Sequence, residues 1–237
     1  MKLLFTQGDS TWEADLSEGV DLSIPVGTSG VRAWGLDAAE IRPHREGDFV
    51  GSVRAGASVN FNDICFNPHA QGTHTECLGH ITPEAVPLLS QPPPAWMLAR
   101  LVSIAPEEKA GDQRVTRGQL EAALKPLRTG AVVLRTLPNP ESKKQADYSG
   151  TNPPYLEEGA AVWLKEQGVK HLLLDLPSVD REQDGGALAA HRGFWDIPDR
   201  PRADATITEL IYVPDQVADG LYDPNPQSPP FVNHVCP

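Results

Sequence analysis

The chain has 237 residues, 40% of them hydrophobic and 22% charged, which excludes long disorder and a disulfide scaffold and allows one domain over residues 1–237. A formal charge of −12 and a pI near 4.9 create a field that repels phosphate backbones, so nucleic acid is excluded as a partner. Three cysteines without a C-x-x-C pair fit reducing cytoplasm. The opening MKLLFTQGDS has too short an apolar run for a signal peptide, and no later stretch is long enough to span a membrane.

Short strands are expected first: residues 20–24 ahead of Pro25, 49–53, and 58–66, where Val59, Phe61 and Asp63 alternate onto one face. The prolines following Gln91 break the chain, and the run 96–104, stopped before Pro106, predicts a buried strand. Thr116 with Gln119 has the form of a capping box and predicts a helix through Leu120, Ala123 and Leu124 toward Pro126. Residues 131–137 predict a strand. Pro154 suits the first turn of a helix over 155–167, with Ala160, Trp163 and Leu164 on its apolar stripe and Gly168 closing it. Residues 171–176, bounded by Gly168 and Pro177, predict another strand, so 131–176 reads as a right-handed βαβ unit in an α/β or mixed α+β fold.

Three histidines and a carboxylate, His69, His74, Glu76 and His80, fall within HAQGTHTECLGH, although the whole chain has seven histidines. Side chains alternate along an extended segment, so His74 and Glu76 share one side. Gly72-Thr73 permits a tight turn that returns His69 to the same point, giving a facial set of two histidines and one carboxylate suited to Zn, Mn or Fe. Any one of these residues alone would read as a surface or core-capping group in a glycine-rich loop. Cys65 and Cys77 lack partners at zinc-finger spacing, a helical H-E-x-x-H is absent, and Cys77 reads as packing. His44 reads as an exposed loop residue, and His171 and His234 as structural. Asp175, Ser178 and Asp180 suit ligand contacts and ordinary turns equally. Trp163 is core, while Trp12, Trp34, Trp96 and Trp195 stay open between core and aromatic pocket.

The segment from His69 to His80 resembles the H-x-G-T-H-x-D-x-P-x-H motif of the cyclase-like metal hydrolases, a family that includes bacterial kynurenine formamidase and isatin hydrolase. The likeness extends through DLSIPV near the start and through WLKEQGVKHLLLDLPSVD, residues 163–180, similar to a family segment ending in D-x-P-S-x-D. Here His69 lies five residues before His74 where the family has four, Glu76 replaces Asp, and Leu78 stands in the position of Pro. The resemblance implies an α/β domain with a mixed central β-sheet or barrel-like β core flanked by helices, the swivelling β/β/α fold. It implies a divalent metal, Zn or Mn, held by His69, His74 and Glu76, with His191 and Glu209 holding or completing a second metal position. His80, outside the ligand set, is expected to move protons. The implied reaction is arylformamidase-like cleavage of a carbon–nitrogen bond in an aryl formamide or small cyclic amide. The alternatives are hydrolysis of a lactone or isatin-type ring, and a non-catalytic binder of metal or small molecules. A small-molecule substrate, a homodimer and a cytoplasmic location complete the expectation.

Overall fold

The apolar runs form the middle of one mixed sheet in the computed structural model, which describes residues 2–7, 10–84 and 86–237. Its seven strands are β1 (His74–Cys77), β2 (Ala99–Ile104), β3 (Ala131–Thr136), β4 (His171–Leu174), β5 (Thr206–Glu209), β6 (Gly220–Tyr222) and β7 (Val235–Cys236). Their spatial order is β6-β2-β3-β4-β5-β1-β7. Strands β2 to β5 are parallel, whereas β6 pairs antiparallel with β2, and β1 lies antiparallel to both β5 and β7. The sheet is therefore the mixed α/β arrangement expected, with antiparallel strands added at both sides of a parallel centre.

Alternation along the strands divides the core in two. Val102, Ile104, Val132, Leu134, Leu172, Leu174 and Ile207 belong to one apolar cluster with Leu120, Trp163, Leu164, Phe194 and Trp195. These last five come from α1 (Arg117–Leu124), α2 (Glu158–Glu166) and α3 (Ala189–Trp195). The intervening Ala99, Leu101, Ala131, Val133 and Leu173 join Ile211 and Val213 in a second cluster. Helices α2 and α3 approach so closely that a Cβ added at Gly193 would lie 2.9 Å from Val162 Cγ2.

Thr116 and Gln119 form both halves of the expected capping box at the start of α1. Strands β3 and β4 are adjacent and parallel with α2 between them in sequence, as the βαβ reading requires. Other boundaries shift. Pro154 does not open α2, because Tyr155 and Leu156 pair with Arg114 and Val115, and the Leu156 and Glu157 amides donate to Val179 and Val115 carbonyls. Residues 20–24 make a single bridge, Ser23 with Ile211, rather than a strand. The strand expected over 49–53 is limited to Phe49–Val50, since Val53–Ala55 is a 3-10 turn, and that over 58–66 to Asn62–Cys65. All three cysteines are free, with Cys77 and Cys236 packed around Leu88. Among the described residues no helix is long and apolar enough to cross a membrane.

Replacing Thr116 by Ala removes a helix cap and is expected to lower stability by about 1 kcal/mol, read from the urea midpoint. An unchanged midpoint would show that the cap contributes nothing here.

Candidate metal centre

The site is built where β1 enters the sheet backwards. Antiparallel register sets His74 opposite Glu209, and Glu76 opposite Ile207 on one side and Val235 on the other. Gly72 has φ +147°, and a Cβ there would lie 2.8 Å from Val26 Cγ2 and 3.0 Å from the Ile24 carbonyl oxygen, so only glycine fits. Thr73 then locks three segments. Its amide donates to the Ile24 carbonyl at 3.1 Å, its hydroxyl accepts from the Ile24 amide at 2.7 Å, and the same hydroxyl donates to the Leu210 carbonyl. The loop carrying His69 is turned by Asn67: its side-chain oxygen accepts from the His69 amide at 3.0 Å, and its amide donates to Gln71 at 2.7 Å. This turn places His69 at the site despite the additional residue before Gly72.

Glu76 is the hub. His69 Nδ1 lies 3.1 Å and His80 Nε2 3.7 Å from Oε2, while His191 Nε2 lies 2.9 Å from Oε1. Glu209 approaches from β5, with Oε2 3.4 Å from His74 Nε2 and Oε1 accepting from the Val179 amide at 2.9 Å. The Nδ1 of His74 lies 3.1 Å from the Gly72 carbonyl; a carbonyl can only accept, so Nδ1 carries the proton and Nε2 presents its lone pair to the centre. His191 is aimed in the same way, since Nδ1 is 2.5 Å from Asp180 Oδ2. The Asp180 carboxylate also accepts the Ala190 and His191 amides, capping α3 from outside and holding the ring it carries. Trp195 lies against that ring, the centroids 5.3 Å apart.

His74, Glu76, His191 and Glu209 are all buried. Burial pushes Glu76 up, but the neighbouring rings of His191 and His69 outweigh it and hold the carboxyl well below the usual range. Glu209 moves up, first through burial and then through the charge of Glu76. For His74, burial is outweighed by Glu209 and Glu76, and its pKa rises. His80, whose ordinary pKa suggested a group titrating near neutrality, is instead pulled down to about 4, chiefly by burial. It is therefore a neutral imidazole at neutral pH.

Two buried atoms at the hub, His74 Nε2 and Glu76 Oε2, have no hydrogen-bond partner among the described residues. Such atoms normally cost about 1–3 kcal/mol each, and here both are ligand-capable lone pairs. One ligand atom each from His69, His74 and Glu76 lies within 4.8 Å of the others, and the same holds for Glu76, His80 and His191. A donor set of imidazole nitrogens and carboxylate oxygens fits a divalent cation. The structure thus gathers His69, His74, Glu76, His80, His191 and Glu209 around one point.

Two residues at this point were not singled out by spacing. Asp180 read equally as a turn former, and its grip on His191 exists only after α3 folds back. His234 read as structural, yet its Nε2 is 3.1 Å from His69 Nε2, because the pairing of β7 with β1 carries it there. The remaining candidates lie elsewhere or act structurally: His44 pairs with Asp63 at 2.8 Å, His171 bonds Thr206, and Asp175 binds Lys143 at 2.8 Å. Trp34, 38% exposed, donates to the His69 carbonyl at the edge of the site.

A family model described as "Putative cyclase" matches residues 20–181. Among solved structures, one described as a potential metal-dependent hydrolase with cyclase activity superposes with TM-score 0.67 at 16% identity, covering 92% of this chain and 93% of that one. One described as a predicted metal-dependent hydrolase from Bacillus stearothermophilus gives TM-score 0.56 at 17% identity, covering 86% of each chain. An isatin hydrolase bound to the product analogue thioisatinate gives 0.57 at 15% identity, covering 85% of this chain and 82% of that one. A search of curated proteins finds no match.

For His191, burial works downward, but Asp180 and Glu76 outweigh it and raise the pKa from 6.5 to about 10. A raised pKa contributes stability below the unfolded value that is lost as pH climbs through the folded value. In chelator-treated protein the melting temperature should therefore fall between about pH 6.5 and pH 10, and His191→Gln should flatten that fall. Equal pH dependence in the two chains would show that His191 does not hold the proton.

Proposed function

We propose, on the premise that this chain belongs to the cyclase family, that it is a metal-dependent hydrolase whose centre is formed by His69, His74 and Glu76. The observation that carries this reading is the pair of buried lone pairs at His74 Nε2 and Glu76 Oε2, unpartnered within a ring of ligand-type side chains. Glu76, His191 and Glu209 offer a second position, from which the His191 proton must leave when a cation binds. The chemistry a divalent cation supplies when bound is activation of water as a nucleophile and stabilisation of oxyanion charge.

The rest falls to the chain. His80, neutral and less enclosed than the other residues around Glu76, has Nε2 turned to the hub and accepts a proton from the attacking water, then returns it to the leaving group. Asp180 fixes the ring of His191, and the Gly72 carbonyl that of His74, so neither turns during the reaction. Buried walls, including Trp195, keep bulk water from the inner face. The substrate class favoured is an aryl formamide or small cyclic amide, with Trp34 supplying an aromatic surface at the rim. An isatin-type ring is the second reading, supported by the isatin hydrolase likeness in fold.

His74→Ala should lower metal content and activity together; full metal occupancy in that variant would remove His74 from the ligand set. His80→Ala should retain metal at the Glu76 centre while kcat drops by about 10²- to 10⁴-fold. Loss of that metal would make His80 a ligand, and unchanged turnover would end the proton-transfer assignment. A screen of aryl formamides, isatin, cyclic imides and lactones against metal-loaded protein decides the substrate class. No turnover on any of them would overturn the hydrolase reading.

A further inference from the structure

His69 is a ring with two directions. Its Nδ1 faces inward to Glu76 Oε2 at 3.1 Å, while its Nε2 faces outward to His234 Nε2 at 3.1 Å. His80 stacks on His69 with ring centroids 4.3 Å apart, and His234 lies 5.3 Å from His69 and 5.5 Å from His80. One nitrogen from each of the three rings falls within 4.8 Å of the other two. All three are half-buried, at the open side of a centre whose carboxylates are fully enclosed. Two nitrogens that share a tetrahedral cation at about 2.0–2.1 Å stand about 3.3 Å apart, close to the observed separation of His69 and His234.

We propose that His69, His80 and His234 form an outer, all-nitrogen cation site, distinct from the carboxylate-bearing inner centre. With both sites filled, His69 bridges them through Nδ1 and Nε2 and so releases its ring proton to solvent as an imidazolate, while His80 and His234 each offer one lone pair; such an all-nitrogen set without a carboxylate favours borderline cations such as Zn²⁺, Co²⁺ and Ni²⁺ over Mn²⁺ or Mg²⁺. The inner donor set, with Glu76 and Glu209, accepts Mn²⁺ as well. The two sites therefore differ in which metals they take. A consequence, resting on the proton-transfer role given to His80 above, is inhibition by excess Zn²⁺: filling the outer site engages the ring that must carry the proton.

Equilibrium dialysis of metal-free protein against Co²⁺ and, separately, Mn²⁺ tests the site without reference to activity. Wild type should bind one more equivalent of Co²⁺ than His234→Ala or His234→Gln, with all three chains binding the same number of Mn²⁺. Equal Co²⁺ stoichiometry in wild type and a folded variant would show that His69 and His234 share a hydrogen bond only. An additional Mn²⁺ equivalent that depends on His234 would overturn the all-nitrogen assignment. A second measurement needs no substitution: His234 is the only histidine after Arg202, so carbethoxylation of the tryptic fragment 203–237 reports on it alone. Zn²⁺ should protect that fragment and Mn²⁺ should not; labelling unaffected by Zn²⁺ overturns the site. A protein with no turnover under any metal, yet with the His234-dependent Co²⁺ equivalent, would keep the outer site and reject the hydrolase reading.

Discussion

Glu76 is completely buried in the middle of β1, and an isolated carboxylate in such a place would cost several kcal/mol. Its charge is sustained by imidazoles that converge from three directions: His69 from the preceding loop, His80 from the turn that follows β1, and His191 from α3. Each of these must itself be held. The Asn67 turn holds His69, Asp180 holds His191, and the hydroxyl of Thr73 holds the entry to β1 against both the 20–24 segment and the strand that carries Glu209. The antiparallel entry of β1 beside the parallel centre of the sheet serves the same arrangement, because it is what sets His74 opposite Glu209.

The two acids are not equivalent. Glu76 receives a hydrogen bond from His191, has His69 and His80 beside it and stays ionised, whereas Glu209 sits beside that charge and is pushed toward its neutral form. Two carboxylates with opposite shifts, separated by histidines, form a centre whose protons and cations compete for the same lone pairs. The centre also lies where irregular backbone flanks β1 on both sides. Here a short 3-10 turn, Leu78–His80, follows β1, and a φ of +147° that only glycine accommodates at Gly72 lets the backbone pass close to Ile24 and Val26.

Local features of this arrangement were legible in the sequence. Period-two spacing set His74 and Glu76 on one side, the capping box at Thr116 marked α1, and apolar runs marked the parallel strands, because each depends on neighbours within a few residues. What was not legible depends on distant backbone. Pro154 looked like a helix start, but the strand pairing of Tyr155 and Leu156 with Arg114 and Val115 took precedence. His234 had no metal-spaced partner in sequence, since its partner is His69, 165 residues away and reached through the pairing of β7 with β1. Asp180 carried a turn-like signature, and its use as a clamp on His191 follows from tertiary packing of a helix too short to announce itself.

The Thr73 hydroxyl meets Leu210 across 137 residues, and His69 meets His234 across 165. At translation rates of roughly 5–20 residues per second, the first histidines leave the ribosome many seconds before their last partners exist. Through that interval Glu76 and His74 are solvent-exposed parts of an unfinished edge, and contacts of such high separation form late. The centre is therefore assembled late: residues 69–80 by themselves lack its geometry, which appears only when the strand after α3 and the segment at His234 have joined the sheet beside β1.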